Sequence, residues 1–76
     1  MNDTQYRKQI LSRTRQAILE RDSSYRQIAI EAGIAPSVIY KIMTTERRIP
    51  STETLGKLCR VLGKSADWVL GLSHDE

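Results

Sequence analysis

Apolar residues recur at steps of three and four along most of the chain, and no stretch alternates apolar with polar for long enough to make a strand. The pattern predicts five helices and an all-α fold. The first starts between Thr4 and Tyr6 and runs to about Arg21, with Ile10, Leu11, Thr14, Ala17, Ile18 and Arg21 along one side. Met1 to Gln5 is left as a loose arm. Asp22-Ser23-Ser24 interrupts the pattern, and Ser24-Tyr25-Arg26-Gln27 fits a capping box in which Ser24 covers the Gln27 amide and Gln27 reaches back. A second helix therefore opens at Tyr25, turns Ile28, Ala29 and Ala32 inward and stops at Gly33, a residue suited to the left-handed conformation of a helix end. Pro36 suits the first position of a third helix, which ends near Thr44 with Ile39 and Ile42 inside. After the polar loop Thr45 to Pro50, Ser51 starts a fourth helix that buries Leu55, Leu58, Cys59 and Leu62 before Gly63. Ser65 caps a short fifth helix, Ala66 to Leu70, and Gly71 closes it. The organisation expected is an arm over 1–5, a single domain over 6–72 and a frayed tail over 73–76.

Only Gly33, Ile34 and Ala35 separate the second and third helices, so these two must cross steeply, as in a helix-turn-helix. The steric demands of that turn are local. Ala29 is small where the helices come closest, Gly33 supplies a positive φ, and Ile34, Ile39 and Ile42 fill the angle between them. Side chains of the third helix that point away from this core are Pro36, Ser37, Tyr40, Lys41 and Thr44.

Composition narrows what such a domain can do. With 76 residues there is room for one small core, about 60% of the unfolded chain's surface being buried at this size. Cys59 and His74 are the sole cysteine and histidine, which excludes an internal disulfide and the common Cys/His zinc sites and points to a reducing, cytoplasmic setting. No serine has a His/Asp constellation, so nucleophilic catalysis is excluded, and neither a cofactor nor a membrane is expected. The net charge is only +3, yet all twelve Lys and Arg fall between Arg7 and Lys64 with five of the acids, a local excess of +7 that suits a polyanionic partner.

Four separated segments resemble the Cro and repressor type of helix-turn-helix protein, the Xre family. Ser24 to Ala29 is similar to the family's start of helix two, and Gly33 to Ile42 to its turn and recognition helix. Pro50-Ser51-Thr52-Glu53-Thr54-Leu55 is similar to its Pro-Ser-x-x-Thr-Leu start of helix four, and Ser65 to Leu72 to its closing segment. The resemblance implies a compact five-helix bundle of lambda-repressor-like type and a sequence-specific, double-stranded-DNA-binding transcriptional regulator, a prokaryotic or phage repressor acting on an inverted-repeat operator as a homodimer. It places base reading in the major groove on Pro36, Ser37, Tyr40 and Lys41. Proline has no donor, so contact at Pro36 would be apolar, such as with a thymine methyl, whereas Lys41 suits guanine O6 and N7. Phosphate contacts fall to Tyr25, Thr44, Arg47 and Arg48. The apolar end Trp68 to Leu72 is the candidate dimer interface, with Trp68, Val69 and Leu72 as its contacts, because Val69, Leu70 and Leu72 offer more apolar area than a five-residue helix can bury on its own domain. The other reading of Trp68 is core packing under helices four and five. Two other readings share the fold: an antitoxin whose partner is a toxin protein, and a helical protein-interaction module without DNA affinity.

Overall fold

The computed structural model describes residues 2–45 and 48–72. Five helices follow in order: α1 (Asp3–Glu20), α2 (Tyr25–Ala32), α3 (Pro36–Thr44), α4 (Thr52–Leu62) and α5 (Ala66–Leu70), with no strand among the described residues. The all-α, five-helix expectation and the limits of α2 and α3 hold. The start of α1 differs. Asn2 accepts a hydrogen bond from the Gln5 amide at 2.9 Å, and the Gln5 side chain accepts one from the Asn2 amide at 3.2 Å, a complete capping box. Asp3, Thr4 and Gln5 are therefore helical rather than part of an arm. The expected fraying of 73–76 lies outside the described residues.

The reverse is found at α2. Ser24 Oγ accepts from the Gln27 amide at 3.1 Å as expected, but the Gln27 side chain donates onward to Glu31 at 3.2 Å instead of reaching back. Only half of the box forms. The bond from Gln27 Nε2 to a carboxylate is charge-assisted and draws the side chain along the helix, which carries its oxygen away from the Ser24 amide. At the other end Gly33 has φ 73°, and the Ile34 amide donates to the Ala29 carbonyl at 3.0 Å, closing the helix as its left-handed residue requires.

Two adjoining clusters make the core. Ile18, Ile28, Ala29, Ala32, Ile39, Ile42 and Leu58 form the one under the turn, where Ile28 and Ile39 are fully buried. Ile10, Ala17, Trp68 and Val69 form the other, between α1 and α5. Burying each large aliphatic side chain contributes roughly 1.5–3 kcal/mol, so a handful of isoleucines carries much of the stability of so small a domain. Thr14 is buried among them and satisfies its hydroxyl on the Ile10 carbonyl at 2.7 Å. On α4 only Leu58 is fully buried; Leu55, Cys59 and Leu62 are half-buried because α4 lies at the rim of the bundle. Burial pushes the Cys59 thiol above its ordinary pKa, in keeping with a small neutral hydrophobe.

Long cationic side chains tie the helices together across large sequence separations. Arg21 donates to the Val61 carbonyl at the end of α4 and to Glu31 of α2 at 2.7 Å. Arg13 donates to the Trp68 carbonyl, and its guanidinium stands 5.3 Å from the centre of the Trp68 ring. Lys64 Nζ approaches the same ring to 4.8 Å and pairs with Glu20 at 3.4 Å. That carboxyl lies below its ordinary pKa, first because Gln16 donates to it and then because of the Lys64 charge.

Candidate nucleic-acid interface

The turn between α2 and α3 is set by backbone chemistry. Gly33 reverses the chain, Ala35 has extended φ and ψ, and Pro36 opens α3 with the φ that a first helical residue needs. Ala35 gives no side-chain cap, so the first-turn amides of α3 have no side-chain acceptor. Behind the helix, Ile39 and Ile42 anchor it in the core at 0% and 3% exposure. In front, Pro36, Ser37, Tyr40 and Lys41 are all exposed, as their positions in the helical pattern predict.

Tyr25, the first residue of α2, and Tyr40 meet edge to face, with ring centres 5.5 Å apart at 73°. Tyr25 is half-buried against the core and Tyr40 is 54% exposed, so the inner ring holds the outer one in place. The pair joins the two helices on the side from which the candidate reading residues project. Neither helix pattern alone signals this contact; it needs the crossing of both.

A groove of about 400 Å³ runs between α3 and the start of α4, floored by Val38, Ile42, Ile49 and Pro50 and rimmed by Lys41, Thr44, Arg48, Ser51 and Thr54. Arg48 is exposed there, its amide donating to Thr45 Oγ1 at 3.3 Å. Thr44 also reaches the rim, but its hydroxyl donates to the Tyr40 carbonyl at 2.8 Å. A hydroxyl has one proton, so a phosphate contact from Thr44 requires breaking that bond. Arg47 lies outside the described residues.

Arg15 of α1, which the helical pattern does not single out, is the residue that fixes the far end of α3. Its Nε donates to the Ile42 carbonyl at 2.8 Å and its Nη2 to the Thr45 carbonyl. The last carbonyls of a helix lack intrahelical partners, and a cation there also meets the negative end of the helix dipole. The signal in the sequence is only a cationic residue one position after Thr14 of the core stripe.

The candidate dimer residues separate into two groups. Trp68 and Val69 are 4% and 3% exposed, packed between α1 and α5, and so cannot themselves supply the apolar area of an interface. The α1 stripe and the two cations cover Trp68, in keeping with its core reading, and leave Val69 little surface for a partner. Leu72 is 67% exposed.

A helix-turn-helix family model matches residues 15–69, from Arg15 in α1 to Val69 in α5, and so takes in the turn, α3 and most of the core. The chain belongs to the Cro/Xre-type helix-turn-helix family. No curated protein and no solved structure matched it. As a member of this family it is a DNA-binding helix-turn-helix regulator. None of the described helices is long and apolar enough to cross a membrane.

Proposed function

We propose that this helix-turn-helix protein is a sequence-specific repressor, working in the cytoplasm as a homodimer on an inverted-repeat operator without a cofactor. The observation that carries the reading is the outward row Pro36, Ser37, Tyr40 and Lys41 on a helix immobilised from behind by Ile39 and Ile42. A helix held in this way enters the major groove with one fixed set of side chains. Ser37 and Lys41 supply donors, Pro36 an apolar contact, and Tyr40 an aromatic edge. Tyr25 and Arg48 bracket this row as phosphate contacts that fix the register, Arg47 is assigned the same role from the family resemblance alone, and Thr44 contributes only if it gives up its bond to Tyr40. Four reading residues per protomer discriminate few base pairs, which is why two copies on a symmetric site are needed. Repression then follows from occlusion of a promoter.

Selection of bound duplexes from a random library is the direct experiment. The expected outcome is an enriched inverted repeat whose consensus changes at one or two base pairs when Lys41→Ala is selected in parallel. Recovery of no enriched sequence from the wild type would defeat the reading.

A further inference from the structure

The homodimer reading needs a surface, and with Trp68 and Val69 buried the molecule offers a different one on α4. A mostly apolar groove of about 140 Å³ lies between α4 and α5, lined by Leu55, Gly56, Cys59, Ala66 and Leu70 with Thr52 and the little of Val69 that is exposed. Exposed Leu72 follows at its α5 end. Gly56 sits in the middle of α4, where glycine weakens a helix, and nothing inside the chain calls for it. Its φ is not positive, and a Cβ built there meets no atom within 4 Å. What a glycine in that position does permit is close approach of another backbone.

The charges beside Gly56 say what that other backbone is. Glu53, Gly56 and Arg60 stand at i, i+3 and i+7, on one side of the helix. Glu53 and Arg60 are both exposed. Glu53 has only a loose i, i+4 pair with Lys57 at 3.7 Å, and Arg60 has no ion-pair partner among the described residues. A two-fold axis beside Gly56 reverses the direction of α4, so it brings Glu53 opposite the partner subunit's Arg60, and Arg60 opposite the partner subunit's Glu53. A face that is acidic before its glycine and basic after it is complementary to itself in this antiparallel arrangement. DNA, with one sign of charge, would be repelled by half of it.

We propose that α4 is the self-association helix, crossing its symmetry mate at Gly56, with two reciprocal Glu53–Arg60 pairs and the α4–α5 groove covered by the second copy. Gly56 lies about 200° around the helix from Thr54, which lines the groove beside the reading helix. The two sides of α4 therefore serve different partners, and the dimer forms with both reading helices free.

The test uses sedimentation of the full chain, and it rests on the homodimer reading while remaining separable from it. Glu53→Arg sets Arg against Arg twice and Arg60→Glu sets Glu against Glu twice, so each variant alone is expected to dissociate at least about tenfold more readily than the wild type. Mixed in equal amounts, the two variants form a heterodimer, because every apposed pair is again of opposite sign. The acid in the first turn and the base in the last also suit the dipole of α4, but a role confined to the helix dipole gives no recovery on mixing. Gly56→Leu fills the point of closest approach with a better helix former; it is expected to be monomeric with an undiminished melting temperature. A wild type that stays monomeric overturns the homodimer reading and this surface together. A dimeric wild type whose three variants remain dimeric overturns the surface alone.

Discussion

At the residue scale, the molecule separates the exposed cations proposed to read or anchor DNA from the cations that hold the fold. Lys41 and Arg48 are exposed beside the reading helix, while Arg13, Arg15, Arg21 and Lys64 are engaged with the chain's own carbonyls, carboxylates and indole ring. Lys41→Ala is expected to cost roughly 1–3 kcal/mol on the best site and to relax preference at one or two base pairs. Arg48→Ala, paired with Arg47→Ala, is expected instead to weaken all sequences by a similar factor and to flatten the salt dependence. Fluorescence anisotropy on single-substituted sites across a salt series distinguishes them; a uniform loss from Lys41→Ala would remove it from the reading set. Which cations belong to which group was not legible in the sequence. Arg13 and Arg15 differ only in their direction from α1, and their acceptors lie on α5 and α3, far along the chain.

At the scale of elements, what the sequence made legible is what local chemistry decides. Ser24, Gly33 and Pro36 set the limits of α2 and α3, and each acts through its own backbone or a residue three positions away. The buried stripes of α1, α2 and α3 followed from spacing alone. The start of α1 lies earlier than the apolar spacing predicts, although its Asn2–Gln5 cap is equally local, because the stripe does not begin until Ile10. The burial of Trp68 and Val69 depended on a neighbour, α1, that the spacing within α5 cannot supply. Two substitutions probe the elements directly. Gly33→Ala meets open space, so its expected loss of about 1–2 kcal/mol in denaturant unfolding isolates the cost of a Cβ at φ 73°. Arg15→Met keeps an apolar stem but releases the Ile42 and Thr45 carbonyls. A loss of about 1–3 kcal/mol is expected from its charge-assisted bonds, together with weaker DNA binding measured well below the melting temperature. Unchanged DNA affinity in that variant would mean that α3 keeps its position without the clamp.

For the whole molecule, the count of twelve bases overstates the side chains free to meet DNA, since among the described residues Arg13, Arg15, Arg21 and Lys64 are held by internal partners and Lys57 pairs loosely with Glu53. The expectation is about six phosphate contacts per dimer and therefore a slope of log affinity against log salt near −5. A slope shallower than about −3 would discount the electrostatic part of the interface. The described body measures 34 × 25 × 20 Å, so two copies side by side can set their reading helices about 34–36 Å apart, one turn of the duplex. Half-site centres are accordingly expected about 10 base pairs apart, and inserting five base pairs between them, which turns one half-site to the opposite side of the duplex, should reduce binding to near non-specific strength in a gel-shift titration.

Trp68 is the only indole in the chain, and it is shut between α1 and α5 with a cation near its ring on two counts, Arg13 and Lys64. Its emission is thus a built-in optical reporter of the fold that stands apart from the reading helix: it should shift to the red on unfolding and stay nearly unchanged when DNA binds. The reporter also senses acid. Glu20 holds Lys64, and its carboxyl titrates below the ordinary value, so the contribution of that pair is complete above about pH 4.3 and is lost as the pH falls through the lowered folded value. Lys64 then loses its carboxylate partner and is expected to be held less firmly above the indole. An acid titration should show an emission step in the native protein that Glu20→Gln abolishes, and a step that survives that substitution would assign it to another carboxylate.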